Sequence, residues 1–469
     1  MKCSVELQSV RRLPAHADGQ PKTAFLLVVL AITAVLVAFK PSLMAMVVLW
    51  FVAGLLTFVE PSFGFLAWIM FLPLEGHFNA HGEIGPYIGL SPLVLVGLGL
   101  QALNNRKLEV RKDFMVFSMF FLGSVFLSGF TGVVSLTEVV RGSLSLVFLL
   151  GVVFGVSTSM AKNPNGLWSV SLAICLAVVV AILMSVSSAS GSRLAVGDNV
   201  RSIANILGIA ILILVMDLVE RLLGHNSDAH KASPLSGRVA PLLSVFCMYT
   251  ALLLTASRGV ILSSAISIVG TLLYAILFIG YDSKTIKGKF KLVFLLVLLA
   301  TVVLGLLFSD IANSLGGVSA LQRFRKERFD ENIRLAFWTY AIRQMRGWQW
   351  IFGAGIGAFR ALVITGGYDV YSHSVYIDAL TSLGLFGTGV LIVFMGRIAI
   401  RLLRTKNLLG ICIFMYTFAS FATHGSLSSK FFWLNIALMC GLSNIEESRR
   451  KRVATRLGDR TAAMPKATL

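Results

Sequence analysis

The chain has 469 residues, of which 56% are hydrophobic and 13% charged, with a net charge of +19 and a mean hydropathy of +0.83. A soluble domain carries about 25% charged residues, so this chain has roughly half the charge needed to cover itself with a polar surface, and a soluble globular protein is excluded. Its apolar runs are continuous and do not alternate, which also excludes a transmembrane barrel and leaves a multi-spanning helical membrane protein.

The basic residues Lys2, Arg11, Arg12 and Lys22 precede a first apolar run at 23–39. This run lacks a small-residue cleavage site and leads straight into Lys40-Pro41 and a second run, so it reads as an uncleaved first helix. Further runs fall at 42–59, 62–74, 87–104, 114–134, 143–160, 167–187, 203–219, 241–257, 259–281, 292–309, 374–396, 408–424 and 426–444. The predicted fold class is an all-α polytopic membrane helix bundle of about 14 spans, with about 12 as the lower bound, because the third run is short for a bilayer crossing. The turns at 40–41 and 257–259 leave almost no loop. After the third run, His77 and His81, flanked by Glu75 and Glu83, have i, i+4 metal-ligand spacing. Gly76, Gly82, Gly85 and Pro86 argue against the helix that would bring them together. Cys3 lies in the N-terminal tail, and Cys175, Cys247, Cys412 and Cys440 lie inside apolar runs without a CxxC pair. They read as buried small hydrophobes, with neither a disulfide nor a zinc site implied.

Lysine and arginine concentrate in alternate connections: the tail to Lys22, Arg106 to Lys112, Arg221 to Arg238, Lys284 to Lys291, Arg397 to Lys406 and Arg449 to Lys466. Cytoplasmic loops retain positive charge, so both termini are expected inside. The expected order is a cytoplasmic tail at 1–22, membrane helices 1–11 at 23–309, an external loop at 310–373, helices 12–14 at 374–444 and a basic cytoplasmic tail at 445–469. A second set of cations, Arg193, Arg201, Arg258, Arg334, Arg343 and Arg346 among them, then falls outside. Arginine suits bidentate contact with phosphate oxygens, so this set points to an external anion such as a diphosphate. Lipid headgroups are the plainer partner for Arg258, which sits in the tight turn Ser257-Arg258-Gly259.

The loop at 310–373 is too long for a passive connection. Residues 332–346, NIRLAFWTYAIRQMR, follow helical periodicity. Ile333, Leu335, Phe337, Trp338, Ala341, Ile342 and Met345 form one apolar arc with Arg334 at its middle, and Thr339, Arg343 and Arg346 lie opposite. Arg343 and Arg346 suit lipid phosphates, whereas a guanidinium on the buried face needs an anionic partner. Gly353-Ala-Gly355-Ile-Gly357-Ala-Phe359 follows. With no strand before it, this run is not a nucleotide loop; its glycines allow close approach to a ligand or a neighbouring helix. His373, in Tyr371-Ser-His373-Ser-Val-Tyr376, sits at the membrane lip as either a helix-start hydrogen-bond donor or a proton acceptor. His424, in Thr423-His424-Gly425, reads as a second functional histidine or a turn residue. No GxSxG, HExxH, P-loop or spaced carboxylate pair is present, which leaves hydrolase, ATPase and metalloprotease readings without support.

From about residue 190 to 444 the order of these pieces resembles the bacterial O-antigen ligase and O-antigen polymerase superfamily of membrane glycosyltransferases. The resemblance rests on Arg201 and Asn205 leading a span, Ser257-Arg258-Gly259 between spans, Arg334-x3-Trp338, the Gly-x-Gly-x-Gly-x-Phe run, His373-Ser374 and Leu383-Gly-x-x-Gly387. The family pattern often has asparagine where this chain has Ser374. The resemblance implies an inner-membrane enzyme, active on the periplasmic face without metal or cofactor, that takes a glycan from undecaprenyl diphosphate to an acceptor hydroxyl. By that resemblance Arg258 and Arg334 would hold the diphosphate and His373 would serve the acceptor hydroxyl. Arg201 and Asn205 would support the donor site, with Arg343, Arg346 and Tyr376 as further substrate contacts. The acceptor would be a growing glycan for a polymerase of exopolysaccharide or O-antigen repeat units, the reading favoured here, or lipid A core for a ligase. Membrane lipids, a chain-length regulator and export proteins are the expected partners, and nucleic acid is not. A transporter or flippase of lipid-linked sugar is the alternative from another class, but it calls for mid-membrane charges and internal repeats.

Overall fold

The structure is a computed structural model that describes residues 25–33, 51–53, 61–74, 112–131, 133–162, 166–187, 200–222, 257–278, 331–423 and 425–462, with single residues and short pieces at 92, 96 and between 244 and 255. Its helices are α1 (Pro61–Phe71, continued by a 3-10 turn Leu72–Leu74), α2 (Lys112–Gly129), α3 (Leu136–Lys162), α4 (Gly166–Ser187), α5 (Val200–Leu222) and α6 (Arg258–Phe278). After the long connection come α7 (Glu331–Gln344), α8 (Gln349–Phe352), α9 (Ala358–Ile364), α10 (Val375–Thr405), α11 (Leu408–Thr423) and α12 (Lys430–Ala462). No strand occurs among the described residues.

The all-α membrane class holds. Five described helices are long and apolar enough to cross a membrane: Lys112–Gly129, Leu136–Thr158, Ser202–Glu220, Gly259–Phe278 and Val375–Thr405. Three shorter apolar helices lie at Leu167–Leu183, Leu408–Ala422 and Lys430–Ile445. The expectation of about 14 spans also rests on 42–59, 87–104 and 292–309, which fall almost wholly outside the described residues, as do His77, His81 and His424. Two helices run further than their apolar cores suggest. α10 continues to Thr405 through Arg397, Arg401 and Arg404, and α12 passes residue 445 without a break. Cys412 is buried and Cys175 and Cys440 are half-buried, but Cys247 is exposed, which corrects the expectation that all four lie buried. A helix in lipid presents apolar residues outward, so a cysteine in an apolar run need not face the interior.

Hydrogen-bonding side chains set two of the helix starts. Ser135 accepts the Glu138 N–H and donates to the Glu138 carboxylate, both at 3.3 Å, a reciprocal cap at the start of α3. Ser374 caps α10 by accepting the Ile377 N–H. In the bundle α12 lies along α3, α11 along α6 and α10 along α2, with α5 touching α4, α6 and α11. Aromatic rings fill the seams: Phe117 of α2 stacks on Phe394 of α10 at 3.8 Å, and Phe121 meets the fully buried Trp433 of α12 edge-on at 5.5 Å.

Cross-helix contacts sort the helix ends onto two sides. On one side Asp113, at the start of α2, pairs with Arg401 near the end of α10, and Tyr274 near the end of α6 donates to the Leu403 carbonyl at 3.0 Å. On the other, the α5 residue Asn205 accepts from Tyr416 of α11 at 3.2 Å, and Gly208 lies against both Tyr416 and Val260 of α6. Tyr376, in the first turn of α10, packs on Phe418 of α11 with ring centres 5.6 Å apart. The first turns of α5, α6 and α10 therefore share one end of the bundle, with the segment 331–373 resting above it.

Candidate functional site

The segment between α6 and α10 is folded over its described part. Ala341 of α7 and Met345, just past its end, are buried against Ala358, Phe359, Leu362 and Val363 of α9. The apolar arc read from the sequence is the packed face, though narrower than its periodicity suggests, since Ile333 and Leu335 remain 51% exposed. Arg334 lies in register with the half-buried Trp338 and the buried Ala341 and Met345, while Arg343 and Arg346 are exposed.

The glycine run docks this segment onto α10. The helix breaks at Gly384, whose backbone (φ 66°, ψ −169°) is open to glycine and almost nothing else. The carbonyls of Thr381 and Ser382, which lose their helical partners there, accept the N–H groups of Ala354 at 2.8 Å and Gly355 at 3.2 Å. Gly353 and Gly384 touch backbone to backbone, so a Cβ on either would overlap main-chain atoms of the other segment. Of the two partners the sequence allowed for these glycines, a neighbouring helix is the one found for Gly353.

Above this junction Arg334 and His373 line a common cleft of about 240 Å³, with Phe337 and Trp338 from α7 and Tyr371 and Ser372 from the chain leading into α10. The i, i+4 spacing of Arg334 and Trp338 sets both on one helix face. The Trp338 indole N–H donates to the Ser372 carbonyl at 2.7 Å, tying α7 to the residue before His373. Trp338→Phe keeps an aromatic ring, though a smaller one, and removes that donor, so a loss of at least about 1 kcal/mol in stability is expected, read as a lower thermal midpoint in detergent. His373 holds a left-handed backbone, φ 52°, unusual for a residue with a Cβ and a feature of functional segments. The sequence left His373 as either a cap or a proton acceptor; Ser374 fills the capping role, and the imidazole is half-buried at the cleft.

The remaining candidates are placed as follows. Arg258 is the first residue of α6 and Arg201 lies in the first turn of α5, at the bundle end that these helices share with the first turn of α10. Asn205 is buried and bonded to Tyr416, and Tyr376 is turned toward α11, its hydroxyl 3.5 Å from the Phe418 carbonyl. Neither Asn205 nor Tyr376 is among the residues lining the cleft.

Two polar features escape a reading of the sequence. Asp378 is buried in the first turn of α10, and its carboxylate accepts the Leu427 N–H at 2.7 Å, fixing the connection between α11 and α12. Arg360 of α9 grips Asp369 through Nε at 2.5 Å and Nη2 at 2.8 Å. The hydrogen bonds and charge of Arg360 hold the Asp369 carboxyl below its usual range. The pair's contribution is therefore complete above the ordinary carboxylate pKa and is lost as pH falls through the lowered value. Both side chains are about half exposed, so that contribution to stability is small. Only the acidic residue in a first helical turn had a sequence signal, through the helix dipole.

A helical bundle with several membrane-crossing helices, and an arginine and a histidine lining one cleft at its end, defines a polytopic membrane protein with a site at the bundle surface. Residues 243–392, about a third of the chain, match the family model described as O-antigen ligase. That segment runs from the approach to α6 into α10 and contains Arg258, Arg334, both glycine motifs and His373, and its match supports the O-antigen ligase and polymerase superfamily. The match supports a membrane glycan-transfer function of ligase or polymerase type. No curated protein matches the chain.

Proposed function

We propose that the protein transfers a glycan from undecaprenyl diphosphate to an acceptor hydroxyl on the periplasmic face of the inner membrane, polymerising exopolysaccharide or O-antigen repeat units. The observation that carries this reading is the shared cleft of Arg334 and His373 within the family-matched segment. In the reaction the acceptor oxygen attacks the anomeric carbon while the bond from that carbon to the diphosphate oxygen breaks. The bonding pair leaves with undecaprenyl diphosphate, and the hydroxyl proton passes to the imidazole of His373. Charge grows on the leaving diphosphate, so a guanidinium already in place stabilises the transition state more than the ground state. Arg334 supplies one such group, and Arg258, at the start of α6, is assigned the other. Arg201 and Asn205 support the donor end, and Arg343 and Arg346 hold lipid or donor phosphates at the rim. The positive connections 106–112, 284–291 and 397–406 support a cytoplasmic assignment for the opposite end of the bundle and for both termini.

His373→Gly tests the base. Glycine accepts the left-handed backbone, so the variant should fold, while loss of the imidazole should lower transfer by roughly 10²- to 10⁴-fold. Transfer near the wild-type rate would remove His373 from the chemistry. Deleting the gene separates the acceptor classes. Single lipid-linked units left unjoined mark a polymerase, long lipid-linked chains left unattached mark a ligase, and units trapped on the cytoplasmic face mark a flippase.

A further inference from the structure

One aromatic side chain in the cleft has no part in the chemistry above. Tyr371 lines the cleft beside Arg334 and His373 yet remains 61% exposed. Its ring is not loose. The Arg360 guanidinium lies over it, its carbon 5.4 Å from the ring centre, and Nη1 comes within 3.5 Å of the hydroxyl. Arg360 is in turn held at two points by Asp369, a planar fork on a carboxylate that leaves the guanidinium little rotational freedom. Asp369, Arg360 and Tyr371 thus form a stack in which a charge-assisted pair fixes a cation and the cation fixes a ring. Because Arg360 is held against the ring and its hydroxyl end, Tyr371 is oriented before any ligand arrives while most of its surface stays open, and a preorganised ring avoids the ordering cost of binding.

The neighbours of that ring define the ligand chemistry. A guanidinium and an imidazole stand on the same cleft, and Phe337 and Trp338 form its α7 wall. A free phosphate would use Arg334 but has no need of a ring, and an acyl or prenyl chain would use the rings but not the polar groups. A pyranose attached to a diphosphate uses both: its axial C–H groups make an apolar face, its edge carries hydroxyls, and the anion sits one bond away. We propose that Tyr371 is the stacking platform for the sugar ring directly attached to the diphosphate, held in place by the Arg360–Asp369 clamp. This rests on the glycan-transfer reading and deepens it, making Tyr371 a specificity-determining residue for the donor.

The test uses the full-length protein in proteoliposomes, with lipid-linked repeat unit extracted from a strain lacking the protein as donor. Tyr371→Leu keeps the bulk and loses the π face, so the KM for donor should rise roughly tenfold while the KM for acceptor stays unchanged. Tyr371→Phe, which keeps the ring, should recover most of that loss, an outcome that a merely structural role for the hydroxyl would not produce. Asp369→Asn, which frees Arg360 and leaves the ring, should give an intermediate donor KM, and it decides the matter should the leucine variant fail to fold. A wild-type donor KM in Tyr371→Leu, or in Asp369→Asn where the leucine variant does not fold, overturns the platform alone, as does a phenylalanine variant no better than leucine. A wild-type protein that transfers no glycan overturns both the platform and the reading beneath it.

Discussion

Arg334→Ala is expected to lower glycan transfer by roughly 10²- to 10³-fold, the usual effect of removing one preplaced donor from a site of developing negative charge. The side chain is half-buried at the start of α7, and the helix is held by Ala341 and Met345 further along, so the variant should remain folded and membrane-inserted. Rate loss without loss of protein is the signature. Arg334→Lys keeps the charge but not the planar fork and should restore only part of the rate. Activity is to be measured on protein quantified in the membrane fraction, with a thermal midpoint in detergent as the fold control. Arg258→Ala should behave alike, since both arginines are assigned to the same diphosphate.

Gly384→Ala is expected to be strongly damaging, as is Gly353→Ala on the other side of the same contact. The backbone at Gly384 lies in a region essentially reserved for glycine, which alone costs about 1 to 3 kcal/mol for another residue. The added Cβ would also overlap the Gly353 nitrogen and the Ile351 carbonyl, main-chain atoms that cannot swing aside, and such overpacking adds about another 1 to 3 kcal/mol. The glycine run would lift from α10 and its hydrogen bonds to Thr381 and Ser382 would be lost, loosening the hold of the 331–373 segment on the bundle. Faster proteolysis within 331–373 and loss of transfer should accompany a lower thermal midpoint. Gly389→Ala is the control. It sits five residues further along the same helix, where a Cβ meets nothing within 4 Å, and it should be close to neutral.

Some of this architecture is legible in the sequence. The membrane class follows from charge and hydropathy, and the described apolar runs from 114 onward land on helices. The helical period at 332–346 places Arg334 in register with a packed face, and the structure finds it there. The glycine run reads as a point of close approach and Leu383-Gly-x-x-Gly387 only as part of the family resemblance; that the two meet is a tertiary fact, visible only once α10 is broken at Gly384. Ser374 illustrates a second limit. A serine after histidine carries no signal of its own until the helix start is fixed, and only then does it become the cap that leaves His373 outside the helix. Arg360 and Asp369 lie nine residues apart across a turn, a separation with no helical or strand periodicity behind it. Tyr371 is held by that pair, so its orientation was equally hidden.

The central claim is that this chain moves glycan off a lipid diphosphate. It is tested most directly by reconstituting the purified full-length protein in proteoliposomes with undecaprenyl-diphosphate-linked repeat unit as the sole glycan source. The predicted result is release of undecaprenyl diphosphate in step with appearance of a longer glycan, both abolished by Arg334→Ala. The contradictory result is donor that stays intact, or donor that merely changes leaflet, when incubated with folded wild-type protein.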